Sequence, residues 1–395
     1  MNDEMQKIAL IINGIPDIQS KAVYQRATML SRDYKVYIFA KYQVCESIAK
    51  KVEKVHYCPG LSLGLDKVIF PFWVLFNILI IDRRINIAYS VFSFNNIILI
   101  SGFMCKMFGK IWIADLLDDP SLSLEKRSRD LLGYLVYIYQ SVLYLIVKKV
   151  LHFSDLVIIL KGMKEIMIDF NLDTIRYLEV TNGVDLQYIA GKVKYHKAEV
   201  LDNKFTIVYV GMITTERGIR TVIESAHLVS GEFSDMKYIL IGWIPYQDDY
   251  VTLKALIDKY NLDQQFNIIG ELSHEETMNY IKEADICLYP FPKTRQLEYV
   301  SPIKVFEYMA YGKVVIASRL KGVEDIIEQN DSGILVEPGN PRELANAIMM
   351  IYRDRKLKKK IELGALEKIK KFDWSLINNK ILSHVKDVID DINKR

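Results

Sequence analysis

Short apolar runs alternate with segments whose apolar positions recur at helical spacing along most of this chain. Residues 7–12, Lys-Ile-Ala-Leu-Ile-Ile, are closed by Asn13-Gly14 and Pro16 and predict a strand that feeds a turn. Val23, Ala27 and Leu30 share one face of residues 21–31, and residues 34–39 are strand-like again, so the chain opens as a βαβ unit. From residue 205 the alternation is strict. Residues 205–210, 238–241, 266–269, 285–290 and 314–317 predict strands, and 333–338 reads as a further strand exit. Ser273-His-Glu-Glu276 is a capping box opening a helix to Ala284, and Asn340-Pro-Arg-Glu343 opens another. Strands separated by helices imply parallel sheets with helices on both faces.

Two domains of this kind are expected, because 395 residues exceed one ordinary core. The first covers 1–186 and the second 205–375. Residues 187–204 lose apolar periodicity and read as a linker, and 376–392 predict a final amphipathic helix. Composition (50% hydrophobic, 26% charged) is that of a globular protein, and 52 Lys+Arg against 49 Asp+Glu excludes a strong nucleic-acid signature. Cys45, Cys58, Cys105 and Cys287 have no metal-ligand spacing and no disulfide pattern, which fits a reducing, cytoplasmic compartment. The opening Met-Asn-Asp-Glu-Met is acidic and runs straight into a strand, unlike a signal peptide.

The greasiest region is 60–150. Residues 131–147 hold no charge and are bracketed by Lys126, Arg127, Arg129 and by Lys148, Lys149. A buried helix and a helix lying at a membrane surface both fit, and a spanning helix would be at its lower length limit. Tyr134, Tyr137, Tyr139 and Tyr144 with the basic brackets suit the interfacial reading, in which the protein contacts the inner face of the cell membrane peripherally.

Chemistry concentrates in residues 299–318. Ser301-Pro302 reads as a helix entry, Val305, Phe306, Met309 and Ala310 keep helical spacing, Gly312 ends the helix, and a buried strand follows. Glu307 is then a carboxylate one turn into a helix whose N–H groups and positive dipole end would favour an anion. The stretch resembles the nucleotide-sugar motif of retaining glycosyltransferases of family 4, in the subgroup with Ser-Pro-x-Lys and Phe-Glu-Tyr-Met-Ala. The resemblance implies the GT-B fold, an α/β architecture of two Rossmann-like doubly wound domains facing across a cleft. It assigns Glu307 to the donor's ribose. Tyr299 stands where many members carry a first glutamate.

The resemblance extends over about 205–375. Gly211-Met-Ile-Thr-Thr-Glu-Arg-Gly218 is similar to the family's diphosphate loop, with Arg217 as its second cation and Met212 in place of the first. Gly211, Ser301 and the N–H groups of Ile303 and Lys304 complete the donor set, and Lys304 is the candidate to replace the missing charge. In the first domain Gly14 is either a close-approach glycine or a turn glycine. Asp115 and Asp118 fit the family's Asp-x-His-Asp pattern, with Leu117 in place of the His, and either Asp118 or Asp119 is expected to face the sugar.

Asn182-Gly183 looks interdomain. The histidines, His274 among them, are scattered and read as structural. No cofactor or metal is expected: the donor is a nucleoside-diphosphate sugar, and the acceptor a glycan or lipid-linked glycan. A sugar-nucleotide epimerase of the related fold and a non-catalytic partner protein remain as alternatives.

Overall fold

The computed structural model describes residues 5–14, 22–60, 66–92, 96–118, 120, 131–191, 204–233, 235–295 and 297–394. Pro16, Asp119, Lys126, Arg127, Arg129 and most of the expected linker lie outside the described residues. The chain forms two units, Met1–Asn182 with Trp374–Arg395, and Gly183–Asp373.

The first unit is built on β1 (Lys7–Ile12), β2 (Lys35–Ala40), β3 (Lys54–Tyr57), β4 (Ile85–Phe92), β5 (Ile111–Leu116), β6 (Leu156–Leu160) and β7 (Tyr177–Val180), in the order β3-β2-β1-β4-β5-β6-β7. All pairings are parallel. Strand alternation sorts side chains to two faces. Ile8, Leu10 and Ile12 join a core with the helices Ala22–Asp33 and Trp374–Asn393. Ala9 and Ile11 join the other, with Asp66–Phe76 and Ile97–Met107. The second unit has β8 (Phe205–Val210), β9 (Met236–Ile241), β10 (Phe266–Ile269), β11 (Ile286–Tyr289), β12 (Val314–Ser318) and β13 (Ile334–Val336). Their order is β10-β9-β8-β11-β12-β13, again parallel. Two doubly wound sheets are therefore present, as the alternation predicts.

Some details differ. The expected linker begins as a helix, Leu186–Gly191, because Asp185 Oδ1 accepts the Tyr188 N–H at 2.8 Å and supplies a local start signal. The uncharged run becomes the 20-residue helix Leu131–Val150. No described helix is long and apolar enough to cross a membrane.

Candidate functional site

The strand order of the second sheet reverses between β8 and β11, and the loops leaving these neighbours open at the kind of crevice where parallel sheets bind ligands. β8 runs into Gly211, the turn Thr215–Arg217 and Gly218; β11 runs into residues 290–302 and the helix Ile303–Ala310. The two loops interlock. Gly218 has φ +80°, and a Cβ there would overlap the Pro290 carbonyl. The Arg217 guanidinium lies 4.8 Å over the Phe291 ring. The Val210 N–H donates to the buried Tyr308 hydroxyl at 3.0 Å, tying the strand exit to the middle of the helix. The Thr215 hydroxyl donates to Asp249 at 2.7 Å and pins the turn. Burial raises the Tyr209 and Tyr289 phenols, and the charge of the half-buried Arg217 nearby offsets part of that rise.

Val305, Phe306 and Met309 bury one side of the helix, and Gly312 closes it at φ +63°. Its start differs from expectation. Pro302 occupies the cap position and Ser301 is buried without capping the first turn, so the N–H groups of Ile303 and Lys304 have no acceptor among the described residues. Glu307, 2% exposed, is held at both oxygens: Oε2 lies 2.7 Å from Lys304 Nζ and Oε1 3.2 Å from His274 Nε2. Burial opposes its ionisation, but the Lys304 charge and the His274 bond outweigh that cost and hold the carboxyl below the ordinary range.

Two expectations therefore change. Lys304 is paired with Glu307, so its charge can stand in for the cation missing at Met212 only when that pair opens. His274 is more than a helix-start residue. The Ser273–Glu276 capping box places it at the opening of the helix after β10, on the same carboxyl edge of the sheet as Gly211. That position after a strand exit is the one sequence signal that could have singled it out. Gly211, Arg217, Ser301, Ile303, Lys304 and Glu307 thus share one sheet edge. A pocket lined by Phe205, Asp235, Asp285 and Tyr352 opens at the opposite edge, where β8, β9 and β11 begin.

In the first unit Gly14 and Asp118 leave β1 and β5 at the carboxyl edge, with β4 between them. A Cβ at Gly14 would lie 2.8 Å from the Gln43 carbonyl oxygen, so backbone packing alone requires the glycine. Asp118 is half-buried. Asp115 does not face a ligand: it is 1% exposed, 2.6 Å from Arg26 Nε, and accepts the Tyr89 hydroxyl at 2.6 Å. Leu117 packs on the core beside it.

Known proteins resemble this chain over its second unit and, in some cases, over nearly its whole length. Residues 192–367 match the family described as Glycosyl transferases group 1, which supports a domain of that family there. The chain spans less than half the length of two curated relatives. These are an alpha-D-kanosaminyltransferase of Streptomyces kanamyceticus (26% identical, 48% of this chain and 47% of that one) and the amylovoran biosynthesis glycosyltransferase AmsK of Erwinia amylovora (28%, 39% and 37%). An uncharacterized glycosyltransferase of Methanocaldococcus jannaschii is 26% identical over 94% of this chain and 96% of its own. The fold matches sucrose-phosphate synthase from Thermosynechococcus elongatus (TM-score 0.70, 17% identity, 98% of this chain and 100% of that one). It also matches Anabaena HepE in complex with UDP (TM-score 0.67, 16%, 97% and 100%). The architecture is GT-B.

Proposed function

We propose that this chain is a retaining, metal-independent glycosyltransferase that moves a hexosyl group from a nucleoside-diphosphate sugar to a glycan or lipid-linked glycan acceptor. The acceptor would be presented at the inner face of the cell membrane, in the assembly of a cell-surface polysaccharide. One observation carries the reading: the Arg217 turn and the open N-terminus of the Ile303–Ala310 helix flank the switch point of one sheet, joined by the bond from Val210 to Tyr308. The amylovoran biosynthesis relative supports a role in polysaccharide assembly, and the UDP complex of HepE supports the donor class.

In the transfer, the bond between the sugar's anomeric carbon and the diphosphate oxygen breaks. An acceptor hydroxyl oxygen bonds that carbon, and its proton leaves with the diphosphate. Charge builds on the departing oxygens, where fixed positive potential lowers the barrier. Arg217 offers a planar fork of donors, and the Ile303 and Lys304 N–H groups offer an uncapped helix end. Glu307 is an acceptor for the ribose hydroxyls. A diol binding there would displace Lys304 from Oε2 and free its ammonium for a phosphate oxygen, replacing the charge absent at Met212. Asp118, with Gly14 on the same edge, is assigned to the sugar and acceptor side.

A panel of nucleotide sugars, assayed for nucleoside-diphosphate release and for the anomeric configuration of the sugar product, tests the reading. We expect one donor class to be used with retention, and Arg217→Ala to lower turnover by roughly 100-fold or more. Epimerised sugar, no turnover with any donor, or unchanged turnover in the variant would contradict it.

A further inference from the structure

The first unit carries an apolar surface that its own core does not use. The helix Leu131–Val150 turns Leu143 and Val147 inward, while Leu135, Ile138, Val142 and Leu145, spaced three and four apart, face solvent. The segment Asp66–Phe76, continued by Asn77–Ile81, repeats the arrangement. Phe70, Val74 and Ile78 are buried, and Ile69, Phe72, Phe76 and Ile80 are exposed, Phe72 to 61%. Such spacing gathers each exposed set into one stripe. The helix Ile97–Met107 contacts both striped helices. Apart from Asp66 at its start, no acidic residue occurs within 66–81, and none occurs within 131–150.

Exposed basic residues gather at one end, where Asp82 pairs Arg84 at 3.3 Å and Asp169 lies 4.0 Å from Lys148. Each of these helices returns the chain to the start of a parallel strand, so all three end at the amino edge of the adjacent strands β4, β5 and β6, opposite Gly14 and Asp118. There exposed Arg83 and Arg84 follow the first stripe and Lys148 and Lys149 close the second, with exposed Met107 and Phe108 between them in sequence. Lys110 Nζ donates to the Arg83 carbonyl at 3.2 Å, and Lys106 pairs with Asp155 at 2.6 Å, fastening the neighbouring turns together.

We propose that this face seats on an anionic lipid bilayer, its two stripes entering the acyl boundary and the basic ends of the helices meeting the headgroup phosphates. Amphipathic helices bind membranes through apolar area plus attraction of cations to anionic lipid. A partner helix would instead call for flanks charged in both signs, whereas Tyr134 and Tyr137 flank this stripe, as suits an interface. The surface goes beyond the donor chemistry and does not depend on it.

Co-sedimentation of the chain with vesicles of phosphatidylcholine, alone or with one quarter phosphatidylglycerol, tests the proposal. The wild type should pellet with the anionic vesicles, less so as salt rises. The pairs Ile138→Glu with Leu145→Glu and Phe72→Ser with Phe76→Ser should each lower the bound fraction by more than about tenfold. Reversing Arg83, Arg84, Lys148 and Lys149 to Glu should abolish the preference for anionic vesicles. These side chains lie outside the core, so circular dichroism and donor hydrolysis should remain those of the wild type, separating this result from any failure of the transferase reading. Equal pelleting of wild type and variants, or none, overturns the proposal. So does a dimer in light scattering that the same substitutions dissociate, which would assign the face to a second copy.

Discussion

Asp115 and Glu307 are carboxylates of almost equal burial, 1% and 2% exposed, held in different ways. Arg26 and Tyr89 enclose Asp115, and Arg26 reaches on to Asn378 at 3.3 Å. Removing that carboxylate strands a fully buried guanidinium, so Asp115→Ala should destabilise the first unit by about 3–5 kcal/mol, read from denaturant midpoints. Glu307 is gripped by partners that reach water, since Lys304 is 32% and His274 24% exposed. Ligand hydroxyls can replace such partners. The Glu307 carboxyl is held below its unfolded value, so its pairing stabilises the fold fully above pH about 4.3 and is lost as pH falls through the depressed folded value. Glu307→Gln should flatten the acid limb of the stability curve in that window. An acid limb identical to the wild type's would show that the pair contributes nothing.

At the scale of elements, the turn holding Arg217 depends on Gly218. Alanine there meets both a positive φ and the Pro290 carbonyl, so Gly218→Ala should cost about 1–3 kcal/mol and displace the guanidinium. Gly231, with open space around it, is the control, and its alanine variant should stay within about 0.5 kcal/mol. Thermal unfolding compares the two, and equal shifts would remove the special status of the turn. Elements with unmixed local signals were legible in the sequence. Residues 205–210 and 266–269 are strands to the residue, and Ser273 and Asn340 cap as their spacing predicts. Residues 68–81 and 97–103 have no type fixed by sequence, because an apolar run with few polar interruptions suits a buried strand or a helix. Ser301 is a cap by residue type, but it is buried and leaves the first turn of the helix uncapped.

At the scale of the molecule, the two units repeat one plan, a parallel sheet whose order reverses at β1/β4 in one and β8/β11 in the other. That plan shows in the sequence because it is an alternation of periods. The contacts that complete the candidate site do not, because His274 and Glu307 are 33 positions apart and Val210 and Tyr308 are 98 apart. Only the stacking of the strands brings such pairs together. The setting of Asp115 was hidden for the same reason: its partners Tyr89, Arg26 and, through Arg26, Asn378 come from three separate segments. The central claim is that the second unit binds a nucleoside diphosphate between the Arg217 turn and the Glu307 helix. Calorimetric titration of nucleoside diphosphates into wild type, Arg217→Ala and Glu307→Gln tests it most directly. We predict saturable binding of at least one nucleotide by the wild type, weakened about tenfold or more by each substitution. No binding of any nucleotide, or equal affinity in all three proteins, would contradict it.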